Sequence, residues 1–176
     1  MSDVNTVGKI LFTQEQISKR AKELGEKITK DFAGEPLVLV CTLKGAVIWM
    51  GDMMKNIDLD TEIDFVVASS YGKSTTTSGI VKISKDVELD LEDKNVLIVE
   101  DIVDSGVTLK RLKEYFTERK AKCVKICTLL DKPSRRITDV VPDFVGFEVE
   151  DLFIIGYGLD YDQKYRNLPY ISYLEQ

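Results

Sequence analysis

Residues 96–109 constrain the fold of this chain more than any other segment. They read Val-Leu-Ile-Val-Glu-Asp-Ile-Val-Asp-Ser-Gly-Val-Thr-Leu, so four apolar residues run directly into two acids. A short apolar run of this kind is typical of a strand that is buried on both faces of a parallel sheet. Beyond the polar turn, Leu109, Leu112 and Phe116 recur at three- and four-residue spacing and predict a helix. A buried strand that leads into a helix indicates an open α/β sheet, with the polar residues at the carboxyl edge where such sheets bind ligands.

The rest of the chain repeats this alternation. Thr13 and Gln16 fit a capping box at the start of a first helix. We expect further strands at residues 37–41, 63–68, 80–87, 124–130 and 144–147, and a helix from about Gly45 to about Lys55. Strands that alternate with helices imply right-handed parallel crossovers. We therefore predict an α/β fold with a Rossmann-like open, mainly parallel sheet flanked by helices.

Composition limits the class of protein. A chain of 176 residues predicts one domain, and its net charge of −6 argues against nucleic acid as the main partner. No apolar run approaches membrane-spanning length, so we expect no membrane partner. Cys41 and Cys127 fall in apolar runs, as expected of buried thiols in the reducing cytoplasm.

The absence of histidine restricts the chemistry further. The chain contains none, which excludes Ser-His-Asp and Cys-His catalysis and zinc bound through histidine. Any acid–base step must therefore use Asp, Glu, Lys or Tyr.

The polar residues that follow the strand have a chemical interpretation. Residues 105–108 can present backbone N–H groups and two hydroxyls at a helix start, which suits a phosphate. Glu100 and Asp101 accept hydrogen bonds when ionised, which suits sugar hydroxyls or a hydrated cation. Asp104 lies between the two groups, where it can take or share a proton. The alternative is an ordinary turn in which Asp104 or Ser105 caps the helix, but it leaves three carboxylates within five residues unexplained.

Residues 69–79 have a different composition. Seven of the eleven are Ser or Thr, so the segment can bury little surface and we expect it to be mobile. A solvated hairpin tip and a lid that excludes water from a site both fit this composition.

The segment around the three acids resembles the phosphoribosyl-pyrophosphate (PRPP) motif of the type I phosphoribosyltransferases. In that motif an apolar strand precedes two acids, two apolar residues and Asp-[Ser/Thr]-Gly-x-Thr. Other segments are similar to those of hypoxanthine (hypoxanthine-guanine) phosphoribosyltransferases within this family. They are Leu43-Lys-Gly45, Ser70-Tyr71, Leu130-Asp-Lys-Pro-Ser-Arg-Arg136 and Asp151-Leu-Phe-Ile-Ile-Gly-Tyr-Gly-Leu-Asp-Tyr161.

The resemblance implies a role for each matching residue. The contacts to PRPP would come from Glu100, Asp101, Asp104, Ser105, Gly106, Val107 and Thr108. The contacts to pyrophosphate would come from Lys44, Gly45, Ser70, Tyr71 and Arg166, with a cis peptide bond between Leu43 and Lys44. Lys132, Phe153 and Ile154 would bind the purine, whose 6-oxo oxygen would accept from Lys132. Magnesium would be held with Glu100, Asp101 and Asp160, and Asp104 would be the general base. Arg135 and Arg136 receive no role.

The resemblance also implies an activity and an organisation. The phosphoribosyl group of PRPP would pass to hypoxanthine or guanine, giving IMP or GMP and pyrophosphate in purine salvage. A core at about 35–147 would carry a hood from about 1–12 and 148–176 and a mobile lid at about 69–87, and the chain would form homodimers or homotetramers. Gly158 stands where some relatives have alanine, and we expect that difference to matter little. A xanthine-preferring enzyme and a non-catalytic, PRPP-sensing regulator that binds nucleic acid are the alternatives.

Overall fold

The chain folds around one large sheet whose strands alternate with helices along the sequence. The structure, a computed structural model, describes residues 6–70 and 81–175. In these residues the helices α1 to α3 span Gln14–Asp31, Val47–Asn56 and Val107–Glu118. The strands β1 to β8 span Leu37–Thr42, Thr61–Ser70, Val81–Lys85, Asn95–Val103, Cys123–Asp131, Phe144–Glu148, Ile154–Ile155 and Ser172–Tyr173. A 3₁₀ turn covers Pro133–Arg135.

The large sheet has the strand order β3-β2-β1-β4-β5-β6. All neighbouring strands are parallel except β2 and β3, which form an antiparallel pair. The open, mainly parallel sheet predicted from the sequence is therefore confirmed. The direction in which the chain adds strands reverses between β1 and β4. This reversal creates a crevice beyond the carboxyl ends of those two strands, which is the usual ligand site of such sheets.

The first helix begins at the capping box that the sequence predicts. The backbone N–H of Thr13 donates to Oε1 of Gln16 at 2.8 Å, and the N–H of Gln16 donates to Oγ1 of Thr13 at 3.3 Å. One apolar face of α1 is buried, through Ile17, Ala21, Leu24 and Ile28, and Phe32 at the C-cap is buried with them. In residues 6–70 and 81–175, no helix is both long and apolar enough to cross a membrane.

The central strands are buried on both faces, as their continuous apolar runs predict. In β4, Leu97 and Val99 belong to a cluster with α1 and α2, whereas Val96 and Ile98 belong to a cluster with α3. Successive side chains of a strand point to opposite faces, so one run of apolar residues serves both clusters. This two-sided burial fixes the carboxyl ends of β1 and β4 on a rigid support.

Two strands continue beyond their predicted ends. The expected strand at 96–99 extends to Val103, because β5 runs beside it until Val103 pairs with Asp131. Glu100 and Asp101 therefore lie within the last residues of β4 and not after it. The expected strand at 63–68 likewise extends from Thr61 to Ser70, since β1 and then β3 pair with its two ends.

The two ends of the chain meet beside the carboxyl edge of the sheet. Strands β7 and β8 pair antiparallel, and single bridges join Val7 to Leu174 and Phe12 to Ile171. The ring of Phe12 stacks on that of Phe147, with 4.1 Å between their centroids. This C-terminal segment packs against the core of its own chain. Its buried residues are Ile154, Ile155, Tyr157 and Leu159.

Candidate active site

A polar cavity of about 430 Å³ opens at the topological switch point, and we call it the switch-point cavity. It lies where β1, β4 and the start of α3 come together. The predicted site residues that line it are Gly45, Ser70, Glu100, Asp101, Asp104, Ser105, Gly106, Thr108, Asp160 and Arg166. Residues that are far apart in the sequence are thus assembled around one space.

The turn between β4 and α3 leaves the start of the helix open to this cavity. The N-cap of α3 is Gly106, which has no side chain with which to cap. Neither Asp104 nor Ser105 occupies the N-cap position that the alternative assigned to them. The Ser105 hydroxyl accepts only a long hydrogen bond, 3.4 Å, from the N–H of Val107. The first N–H groups of α3 and the positive end of its dipole favour an anion here.

Gly106 is required by both its backbone and its surroundings. Its φ of +83° lies in the left-handed region, which side chains other than glycine rarely adopt. A Cβ atom at this position would lie 2.3 Å from Oγ1 of Thr138 and 2.9 Å from Cδ of Arg136. The turn thus packs directly against the loop that follows β5.

Glu100 and Asp101 form a crowded acidic pair. Oε1 of Glu100 accepts from Oγ1 of Thr42 at 2.7 Å and from the N–H of Asp101 at 3.0 Å. Burial raises the pKa of the Glu100 carboxyl well above its usual range, and the negative charge of Asp101 raises it further. Sequence reasoning missed Thr42, although its place just before Leu43, at the end of the strand next to β4, was a usable signal. The pair is suited to a partner that supplies positive charge or several hydroxyls.

The loop after β1 brings backbone close to these acids. The peptide bond between Leu43 and Lys44 is cis, as the resemblance implied. A Cβ atom at Gly45 would lie 1.7 Å from Oδ2 of Asp101, so only glycine leaves room for that carboxylate. Lys44 is exposed, and its Nζ donates to Oε1 of Gln163 at 3.1 Å.

Arg166 reaches the cavity from the C-terminal segment. Its Nη1 donates to the Gly158 carbonyl at 2.7 Å, and its Nη2 lies 2.9 Å from Oδ1 of Asp160. Nη2 also donates to Oε1 of Gln163 at 3.3 Å. Gln163 thus contacts both of the basic side chains predicted to hold pyrophosphate, and nothing in its sequence neighbourhood indicated this.

Gly158 lies where this backbone has no room for a side chain. Its φ is +102°, and a Cβ atom there would lie 2.0 Å from the carbonyl oxygen of Gly45. Two backbone segments meet at this point without side chains between them. A methyl group would push the C-terminal segment away from the Gly45 loop.

A second cavity of about 390 Å³ adjoins the first, and we call it the Lys132 cavity. Lys132 is only 7% exposed, and its Nζ donates to the Leu152 carbonyl at 2.9 Å. Phe153 is 45% exposed and packs edge-on against Tyr161, whereas Ile154 is buried. The predicted purine residues therefore lie around one space that combines an ammonium donor with an aromatic face.

The two cavities share one wall. Ile102, Asp104 and Asp160 line both of them. Asp104 is exposed, so its carboxylate is accessible from either side. A group bound at the start of α3 and a group bound beside Lys132 would therefore meet at Asp104.

Other predicted residues lie outside this arrangement. Val107 and Lys44 do not line either cavity, and Tyr71 lies outside the described residues, as does most of the expected lid. Within residues 6–70 and 81–175, no three acidic or cysteine side chains come together as a metal-binding group. Glu100, Asp101 and Asp160 therefore do not form one protein-only metal centre. Their carboxylates suit magnesium that is held jointly with waters and substrate phosphates.

Comparisons with known proteins agree with this geometry. A family model described as "Phosphoribosyl transferase domain" matches residues 8–162. The chain is 52% identical over 170 residues to the hypoxanthine-guanine phosphoribosyltransferase of Streptococcus thermophilus, covering 97% of this chain and 94% of that one. It is 52% identical over 169 residues to the protein of the same name from Bacillus subtilis, covering 96% and 94%. A crystal structure of a hypoxanthine phosphoribosyltransferase from Staphylococcus aureus is similar with a TM-score of 0.93 and 47% identity, covering 96% of this chain and 92% of that one. The chain therefore belongs to the phosphoribosyltransferase family and, within it, to the hypoxanthine-guanine phosphoribosyltransferases.

Proposed function

We propose that this protein transfers the 5-phosphoribosyl group of PRPP to hypoxanthine or guanine. The products are IMP or GMP and pyrophosphate, and the reaction serves purine salvage. The observation that carries this proposal is the position of Asp104 between the two adjoining cavities. One cavity has the chemistry of a phosphate and sugar site, and the other has that of a flat base with an acceptor oxygen.

The phosphorylated ribose occupies the switch-point cavity in this proposal. The 5′-phosphate binds the N–H groups at the start of α3 and the hydroxyls of Ser105 and Thr108. Glu100 and Asp101 accept hydrogen bonds from the ribose hydroxyls. The open helix start at Gly106 supports this assignment. Because the phosphate is remote from the reacting carbon, its binding energy positions that carbon.

The pyrophosphate group extends toward the loop after β1. Gly45, Ser70 and Arg166 line this part of the cavity and support the assignment. Lys44 is close enough to Arg166 that both contact Gln163. Tyr71 and the lid over residues 69–87 complete this side, and lid closure excludes water from the reacting carbon.

The purine occupies the Lys132 cavity. The ammonium of Lys132 donates to the 6-oxo oxygen, the ring of Phe153 stacks on the base, and the backbone of Ile154 reads its edge. An adenine amino group would instead place a donor against the ammonium of Lys132, so 6-oxopurines are preferred. The position of Lys132 in the lining of this cavity, where the Leu152 carbonyl holds its ammonium, supports a role in recognition.

Asp104 acts as the general base toward the imidazole nitrogen of the purine. The chain has no histidine, and the exposed carboxylate of Asp104 faces both cavities. As the bond between the sugar carbon and pyrophosphate breaks, positive charge develops on the ribose. The nearby carboxylates of Glu100, Asp101 and Asp104 stabilise that charge.

Magnesium is the proposed cofactor, held with Glu100, Asp101 and Asp160. When bound, it offsets the charge of pyrophosphate and orients that leaving group. The carboxylate oxygens that line the cavity support this proposal. Each of them also has a partner within the protein: Thr42 for Glu100, Ile102 for Asp101 and Arg166 for Asp160.

The proposal includes the organisation expected for the family. The core at about 35–147 and the hood at about 1–12 and 148–176 form one domain, and the chain assembles into homodimers or homotetramers. The free, buried thiols of Cys41 and Cys127 support a cytoplasmic location.

Replacement of Asp104 by Asn tests the proposed role of the base. We expect kcat with hypoxanthine to fall by about 10² to 10⁴, since an amide cannot take the proton, while PRPP affinity changes little. Turnover is measured spectrophotometrically with PRPP, magnesium and each of hypoxanthine, guanine, xanthine and adenine. Asp58→Asn, at an exposed position, is the control.

Three results would contradict parts of the proposal. Unchanged kcat in Asp104→Asn would reject the general base. A clear preference for xanthine would select the related xanthine enzyme. No turnover with any base, together with a mobility shift of nucleic acid, would select the regulator.

A further inference from the structure

The loop that follows β5 contacts the turn between β4 and α3, residues 103–106, which we call the phosphate turn. The carbonyl of Val103 accepts from the N–H of Lys132 at 2.9 Å, and that of Ser105 accepts from the N–H of Ile137 at 3.1 Å. Between them, the carbonyl of Asp104 accepts from Nε of Arg136 at 3.0 Å. Three consecutive carbonyls are therefore bound by the segment 132–137, and the middle one, unlike its neighbours, is bound by a side chain alone; the carbonyl of Ser105 also accepts from Oγ1 of Thr138 at 3.3 Å.

These contacts decide where the N–H groups of the turn point. In a planar trans peptide the C=O and the following N–H point in opposite directions. The one cis bond among the described residues joins Leu43 to Lys44, so the peptides of the turn are trans. A carbonyl of Asp104 that is held by Arg136 therefore directs the N–H of Ser105 to the opposite side. The carbonyl of Ser105 directs the N–H of Gly106 in the same manner.

Arg136 is itself held in place. Its Nη2 donates to Oδ1 of Asp131, and its Nη1 donates to the Val140 carbonyl. The side chains of Arg136 and Asp131 are each only 13% exposed. Arg136 lines neither cavity, so it does not reach the proposed ligands directly. A guanidinium with a fixed fork of donors can serve all three acceptors at once.

We propose that Arg136 is a positioning residue for the phosphate site. It acts through the peptide of Asp104 and Ser105, which it turns so that the Ser105 N–H faces the bound 5′-phosphate. It also fixes the backbone from which the Asp104 carboxylate projects. This inference rests on the proposed function, because it assumes that the turn binds a phosphorylated ribose.

The test measures binding of ribose 5-phosphate by calorimetry and the KM values of PRPP and hypoxanthine. In Arg136→Gln we expect the Kd of ribose 5-phosphate and the KM of PRPP to rise about tenfold or more, because one hydrogen bond from a charged donor is lost. The KM of hypoxanthine should stay within about twofold, because the backbone contact of Lys132 to Val103 remains. Arg136→Lys keeps one charged donor group. Its Kd for ribose 5-phosphate and its KM for PRPP should therefore lie between those of Arg136→Gln and those of the unaltered protein.

Arg111→Gln is the matched control. Arg111 also pairs with a carboxylate, that of Glu118, but does so on the exposed side of α3. Its removal should leave all three constants unchanged. If Arg136→Gln does not fold, Asp131→Asn weakens the support of Arg136 and should raise the same two constants by a smaller factor.

The outcomes separate this inference from the proposed function. Unchanged affinity for ribose 5-phosphate in Arg136→Gln, or in a folded Asp131→Asn that replaces it, overturns the positioning role. An equal rise of the KM of hypoxanthine overturns it as well, because the substitution would then have disturbed both cavities and not the phosphate turn alone. If the unaltered protein neither binds ribose 5-phosphate nor turns over any purine, the proposed function fails and this inference fails with it.

Discussion

The two cavities are built in different ways. Three acids and the phosphate-binding turn of the switch-point cavity come from one continuous stretch, residues 100–108, which other segments complete, and much of the chemistry of this stretch lies in the backbone. The Lys132 cavity is assembled from three segments, at 102–104, 132–135 and 151–160, and depends on side chains. A substitution in the first cavity should therefore act by distorting the chain. A substitution in the second should act by removing one contact.

The strongest test of this contrast is Gly106→Ala. Alanine would have to adopt a φ of +83° and to place its Cβ 2.3 Å from Oγ1 of Thr138. We expect kcat/KM for PRPP to fall about 10³-fold, because the turn must shift to relieve both conflicts. Steady-state kinetics with PRPP varied would measure this, with Gly51→Ala as a control at a glycine that has open space around it. A variant within a few-fold of the original would mean that the turn is adaptable.

Lys132→Met tests the second cavity in the same manner. Methionine fills a similar volume but lacks the donor, so the purine KM should rise about 10²-fold, as expected when a polar contact to a substrate is lost. The KM of PRPP should hardly change, in contrast to Gly106→Ala. Kinetics with guanine and PRPP varied in turn would measure both constants. An equal rise in the two would show that the cavities are not independent.

Gly158→Ala examines the point where the C-terminal segment meets the loop after β1. The added methyl group would lie 2.0 Å from the carbonyl of Gly45, in a residue with a φ of +102°. We expect a loss of about 1–3 kcal/mol in the free energy of unfolding, measured by urea denaturation, and a smaller rise in the KM of PRPP. A variant as stable as the original would show that the two backbone segments can separate to accommodate the methyl group.

The difference between the cavities also explains what the sequence could predict. The acids, the phosphate turn and the two-sided burial of β4 were all visible in residues 96–109, because they are neighbours in the chain. Lys132, Phe153 and Arg166 were assigned only through the resemblance, since their spacing alone indicates no common site. Thr42, Gln163 and Arg136 make contacts that depend on how distant segments fold together. The requirement for glycine at position 158 could not be predicted either, because it arises from a contact with Gly45 more than a hundred residues away.

The ion pair between Arg166 and Asp160 has a consequence for which charged ligands the switch-point cavity accepts. Each residue neutralises the other in the free protein, with 2.9 Å between Nη2 and Oδ1. A bare anion that bound the guanidinium would weaken its attraction to the carboxylate, and a bare cation that bound the carboxylate would do the same to the guanidinium. The free-energy cost of separating the pair is lowest for a ligand that carries both a positive and a negative charge. A magnesium salt of a polyphosphate meets that requirement, whereas neither ion alone does.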